Sequence, residues 1–110
     1  MKRVELASLP HSPVSHDAAI LKKVMLCKGD IPHLTNFSQV ALKPEQRTTP
    51  HLHSDMWEVY LVEDGQGTIR VGSHDEILEP GVCVTIEPGE EHAVANTGET
   101  DLVLTYFGIA

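Results

Sequence analysis

At 110 residues and 12.1 kDa, with 41% hydrophobic and 22% charged residues, the chain has the size and balance of one compact domain spanning 1–110. Such a length buries a core without disulfides or a structural metal, which argues against a two-domain or disordered chain. Sixteen Asp and Glu against eight Lys and Arg give a net charge of −8, and Arg70 is the only Lys or Arg after Asp55. A surface of that sign repels phosphate backbones and anionic lipid, so neither nucleic acid nor membrane is expected as a partner.

The opening Met-Lys-Arg-Val-Glu-Leu lacks the apolar run of a signal peptide, and no stretch approaches bilayer-spanning length, so a soluble, cytoplasmic protein is expected. Asp17 to Cys27 reads as a helix or a strand pair, and strand is preferred. Met56 to Val62 alternates, with Met56, Glu58, Tyr60 and Val62 on one face and Trp57, Val59 and Leu61 on the other. It is apolar on both faces, as are Val82 to Ile86 and Leu102 to Ile109, which predicts sheets covered on both sides. Asp64-Gly65-Gln66-Gly67 and Gly72-Ser73-His74-Asp75 read as turns around a short strand, Thr68 to Val71. Dense, evenly spread Gly and Pro with short strands between them predict an all-β sandwich or barrel, the jelly roll among the candidates. Cys27 and Cys83 have no Cys-x-x-Cys spacing and are expected to be reduced, buried thiols.

Chemistry concentrates in the histidines. In extended backbone His51 and His53 project from one face while Leu52 points away, so two imidazoles sit side by side. Glu58 follows in an apolar strand, where a lone carboxylate costs several kcal/mol unless paired or bound to a cation. A metal held by His51, His53 and Glu58 answers that charge, and His92, after a Pro-Gly turn, can complete the site. Tyr60 shares the Glu58 face and is the candidate to donate to a substrate; Gln39, Arg47 and Tyr106 are weaker candidates. His11, His16, His33 and His74 lie in polar surroundings and are expected at the surface. Asn96 is expected to bond backbone in a turn, and Trp57 to serve core or interface rather than substrate.

The stretch His51-x-His53-x4-Glu58-x6-Gly65, within residues 45–65, resembles the first motif of the cupins, and Gly81 through Pro88-x-x-x-His92-x3-Asn96, residues 81–96, the second. The short spacer, Gln66 to Pro80, is similar to that of small single-domain cupins. Glu45 stands where the first motif opens with Gly, and Glu87 where the second has Pro. The resemblance implies a double-stranded β-helix of six to eight strands, with a divalent transition metal (Fe, Mn, Ni or Zn) on His51, His53, Glu58 and His92. It also implies a homodimer, with Val4 to Leu26 able to extend a partner's sheet. The function expected from it is a metal-dependent oxidoreductase, dioxygenase-like, acting on a small molecule. The alternatives are a non-catalytic binding or sensing module, an isomerase or lyase, and a structural zinc site.

Overall fold

The structure, a computed structural model, describes residues 1–110 and contains nine strands and one 3-10 turn at Leu6–Ser8. In chain order the strands are β1 (Ser12–Val14), β2 (Asp17–Cys27), β3 (Leu34–Leu42), β4 (Trp57–Asp64), β5 (Gly67–Val71), β6 (His74–Leu78), β7 (Cys83–Ile86), β8 (His92–Asn96) and β9 (Leu102–Ile109). A six-stranded sheet runs β1-β2-β3-β9-β4-β7 and a three-stranded sheet β6-β5-β8, all neighbours antiparallel. Arg47 and His51 add isolated bridges to Ala95 and His92, so the segment before β4 runs alongside β8. Nine strands exceed the six to eight expected, and the hairpin β1-β2 lies ahead of both motifs.

Period-two alternation builds the interior. Leu102, Leu104 and Tyr106 of β9 point inward beside Tyr60 and Val62 of β4, Val40 and Leu42 of β3, and Val94 of β8, all buried. Apolar residues fill one end with Leu42, Ile69, Leu78 and Leu102, each no more than 1% exposed. The inward positions turn polar toward the other end, where Ser38, Glu58 and His92 are buried. Gly108, the register partner of Glu58, leaves the inner face narrow there; a Cβ on it would collide with the Thr35 hydroxyl.

Several expectations need correction. Asp17–Cys27 is one continuous strand with a bulge between Val24 and Leu26 rather than a strand pair. His74 and Asp75 belong to β6, leaving Gly72-Ser73 as the hairpin turn. Cys27 and Cys83 are free but exposed, because each lies at a strand end or on the outer face of an edge strand. Most consequentially, the outer face of the large sheet is not covered within the chain. Trp57, Leu61 and Ile109 are 45%, 39% and 37% exposed there, with Phe37 and Phe107 half-buried between them.

The turn before the first motif explains the departure at Glu45. Gln46 N–H donates to the Lys43 carbonyl at 3.0 Å across Pro44-Glu45, and Glu45 takes φ +72°. Pro at the first central position and a left-handed residue at the second describe a type II turn, which favours Gly at the second. Glu45→Gly should therefore stabilise the protein by roughly 0.5–1 kcal/mol. Gly65, also left-handed at φ +87°, is different, since a Cβ there would strike the Asp101 carbonyl. Gly65→Ala should destabilise by more than about 2 kcal/mol. Thermal unfolding of both variants checks the pair: the midpoint rises for the first and falls for the second.

Candidate metal centre

Three backbone segments deliver the polar end of the interior. His51 N–H donates to the His92 carbonyl at 3.1 Å and His92 N–H returns a bond to His51 at 2.9 Å, an antiparallel pairing that brings the two rings to 4.3 Å between centroids. Glu58 arrives from β4, inward by alternation. Nitrogen and oxygen atoms of His51, Glu58 and His92 lie within 4.8 Å of one another. His53 stands at the rim, its side chain 32% exposed, with Nε2 3.5 Å from Glu58 Oε1. Its neighbour Gly89 N–H donates to the His53 carbonyl at 2.7 Å, which ties the first motif to the turn before β8.

Hydrogen bonds fix which imidazole nitrogens face the centre. His51 Nδ1 lies 2.9 Å from the Thr49 carbonyl and His92 Nδ1 3.0 Å from the Glu90 carbonyl. A carbonyl only accepts, so both Nδ1 atoms carry hydrogen, and in the neutral rings the lone pair sits on Nε2. Backbone carbonyls commonly orient metal-binding histidines this way. Thr49 is itself held by Asp17, whose carboxylate accepts from its N–H and its hydroxyl.

Glu58 is 4% exposed, and its Oε1 has no hydrogen-bond partner. His92 Nε2 lies 3.1 Å from that oxygen but out of hydrogen-bond alignment. Two donors bound side by side to one octahedral ion at about 2.1 Å sit about 3 Å apart, so this spacing, an orphaned carboxylate oxygen and inward Nε2 atoms fit a divalent cation. Burial alone would raise the Glu58 carboxyl, yet the nearby imidazoles of His92, His53 and His51 outweigh it and hold the group below its ordinary value. For His92 burial likewise opposes the charge, and Glu58 and the Glu90 carbonyl prevail and raise it. His51 is lowered, chiefly by burial.

Tyr60 and Tyr106 stack at 5.4 Å between ring centroids beneath the cluster, and the Tyr60 hydroxyl is 3.5 Å from His92 Nε2. Burial raises both phenols, Tyr60 well above its usual value and Tyr106 to about 12, so both are hydrogen-bond donors at neutral pH. A cavity of about 160 Å3 is lined by His51, His53, Met56 and Glu58, by the two tyrosines, and by Asp17 and Lys22. Its size suits a ligand of roughly six to eight non-hydrogen atoms.

Gln39 and Arg47 do not join this cavity. Gln39 lies on the outer face of β3, its amide 3.4 Å from Thr105 Oγ1, and Arg47 is exposed beside β8. Asn96 donates from Nδ2 to the Leu42 and Thr100 carbonyls and caps the turn to Gly98. His11, His16, His33 and His74 are all exposed. Lys22 was absent from the sequence-derived site. Its alternation with the buried Ile20 carries the necessary information, once Asp17–Cys27 is known to be a strand.

The family model for the cupin domain matches residues 38–108, which include His51, His53, Glu58 and His92. An oxalate-binding protein of Thermotoga maritima is 34% identical over 67 residues, 60% of this chain, and the match spans about half, 54%, of that relative. A crystal structure of a predicted oxalate decarboxylase from Thermotoga maritima superposes with a TM-score of 0.90 at 22% identity, covering 98% of each chain. The polyketide cyclase RemF of Streptomyces resistomycificus matches with a TM-score of 0.82 at 18% identity, over 99% of this chain and 76% of that one.

Without metal, Glu58 and His92 stabilise each other only while the first is ionised and the second protonated. A lowered carboxyl contributes stability above its unfolded value, near 4.5, that is lost as pH falls through the folded one. A raised imidazole contributes below its unfolded value, near 6.5, and loses it as pH rises through the folded one. In metal-free protein the stability difference between wild type and Glu58→Gln should therefore be greatest between pH 4.5 and 6.5. Urea unfolding across pH 3–9 in chelator checks this, and a pH-independent difference would contradict the coupling.

Proposed function

The chain belongs to the cupin domain family, and on that premise we propose that it holds one divalent transition metal, Fe, Mn, Ni or Zn, on His51, His53, Glu58 and His92 and uses that centre to bind a small molecule. The observation that carries this reading is the buried, unpartnered Glu58 Oε1 facing two imidazoles whose Nδ1 hydrogens are already committed to backbone carbonyls. Three neutral imidazoles and one carboxylate leave two positions free on a six-coordinate ion and none on a tetrahedral one, so ligand binding calls for the former. Bound there, such an ion supplies Lewis acidity and, if iron or manganese, electron transfer. The chain's own part is to orient the ligand: Tyr60 and Tyr106 present phenol hydrogens from one side, and the apolar Val40, Leu104 and Val94 exclude water from the other.

A relative named for binding oxalate supports binding of a small acid as the primary role. Oxidoreductase turnover of dioxygenase type is the second reading, supported by a ligand cavity that opens directly onto the His/Glu cluster. Lys22 in the lining gives isomerase or lyase chemistry, which needs a proton carrier, equal standing with it. Oxygen uptake by the iron-loaded protein with catechols, thiols and diketones separates the two roles. For location we propose the cytoplasm, supported by two exposed free thiols that suit a reducing compartment; no helix is long and apolar enough to cross a membrane.

We also propose a homodimer formed through the outer face of β3, β9 and β4, where Trp57, Leu61 and Ile109 stand exposed around Phe37 and Phe107. Light scattering should give twice 12.1 kDa for the wild type and 12.1 kDa for Leu61→Glu; a monomeric wild type would end that proposal.

For the centre itself, Glu58→Gln should lower metal affinity roughly 100-fold or more by removing the one anionic ligand, whereas His74→Ala should leave it unchanged. Tyr60→Phe should keep the metal and weaken the bound ligand. Elemental analysis and metal titration read the metal in all three, titration of the loaded protein with a small acid reads the ligand, and full occupancy in Glu58→Gln would refute the ligand set.

A further inference from the structure

We infer that Lys22 is the specificity-determining residue of the cavity, anchoring a second anionic group of a small di-acid whose first carboxylate lies at the His51–Glu58 end; this rests on the metal-centre reading above. Lys22 pairs in register with the buried Val40, so alternation turns it inward with Ile20 rather than outward with Lys23. It is half-buried, it lines the cavity, and no other Lys or Arg does so.

Its ammonium has no partner within the chain. Lys2, Arg3 and Arg70 each pair with a carboxylate and Lys23 donates to the Leu6 carbonyl at 3.3 Å, whereas Lys22, Lys28, Lys43 and Arg47 make no side-chain hydrogen bond or ion pair, and of these Lys22 alone is half-buried. The nearest candidate by position, Asp17, lines the same cavity yet is committed to Thr49 through both oxygens. An ammonium without a partner at a cavity wall gains a charge-assisted hydrogen bond from an anion that arrives with a ligand.

The cavity is thus polarised along its length. By strand register the cluster's Glu58 is level with Gly108, the two protonated phenols with each other two residues along, and Lys22, through Val40, with Leu104 two residues further. The arrangement sets the lining's one lysine apart from Glu58. It suits a ligand with acceptor groups at both ends and selects against a mono-acid whose far end is apolar.

Isothermal titration of manganese-loaded protein with malonate, succinate and glutarate, and with propionate and butyrate, tests the assignment. The wild type should bind its best di-acid at least tenfold tighter than the mono-acids. Lys22→Met should lose at least tenfold for that di-acid, with mono-acid and manganese affinities unchanged, and Lys22→Arg should recover most of the loss. Equal di-acid affinity in wild type and Lys22→Met, or no preference for di-acids in the wild type, overturns this inference while leaving the metal centre standing. A wild type that takes up no manganese, nickel, iron or zinc overturns the metal centre and this inference with it.

Discussion

The structure turns on one buried carboxylate. Glu58 sits 4% exposed in the middle of a strand whose neighbours are apolar, with an oxygen that no hydrogen bond satisfies. An isolated carboxylate in that position would be protonated or would open the fold, since desolvation costs several kcal/mol. Here the imidazoles of His51, His53 and His92 approach it from two other segments, and the proposed cation shared among them would resolve the charge. Ser38 and His92, the other buried polar side chains near it, lie at the same end of the interior.

Local rules place each member. Alternation in β4 fixes Glu58, Tyr60 and Val62 on one face, and the register of β9 sets Gly108 opposite Glu58 and Tyr106 opposite Tyr60. A bulky residue at 108 would fill the space beside Glu58. His51 and His92 meet because their backbones pair, and Asp17 steadies the approach through Thr49. The ligating atoms therefore depend on backbone hydrogen bonds more than on side-chain packing, which keeps both Nδ1 atoms occupied and both Nε2 atoms facing inward.

Much of this was legible in the sequence, and the limits have physical causes. His51-x-His53 with Glu58 in an apolar strand announced a charge problem, the structure brings His51, Glu58 and His92 together, and Leu102 to Ile109 was bounded correctly by alternation alone. Strands β3, β6 and β8 were harder, because polar residues such as Asn36, Ser38, His74, Glu76 and Asn96 interrupt their apolar pattern. Lys22 was invisible for a different reason: a long amphipathic side chain on an inward position reads as a solvated one until the strand's parity is known. The two-sided apolar character of β4 and β9 was read as burial on both faces, whereas the chain covers only one; the exposed face is a property of assembly that one chain's pattern cannot separate from core. Glu45 looked like a defect in a glycine position and is a strained turn residue, tolerated because Pro44 already presets the turn.

The most direct test of the account is a crystal structure grown with excess manganese and recorded at the metal's absorption edge. The account predicts one anomalous peak bonded to His51, His53 and His92 nitrogens and to Glu58, with the Lys22 ammonium facing it along the cavity. Density only at surface carboxylates, or a Glu58 side chain turned away from an empty cluster, would contradict it.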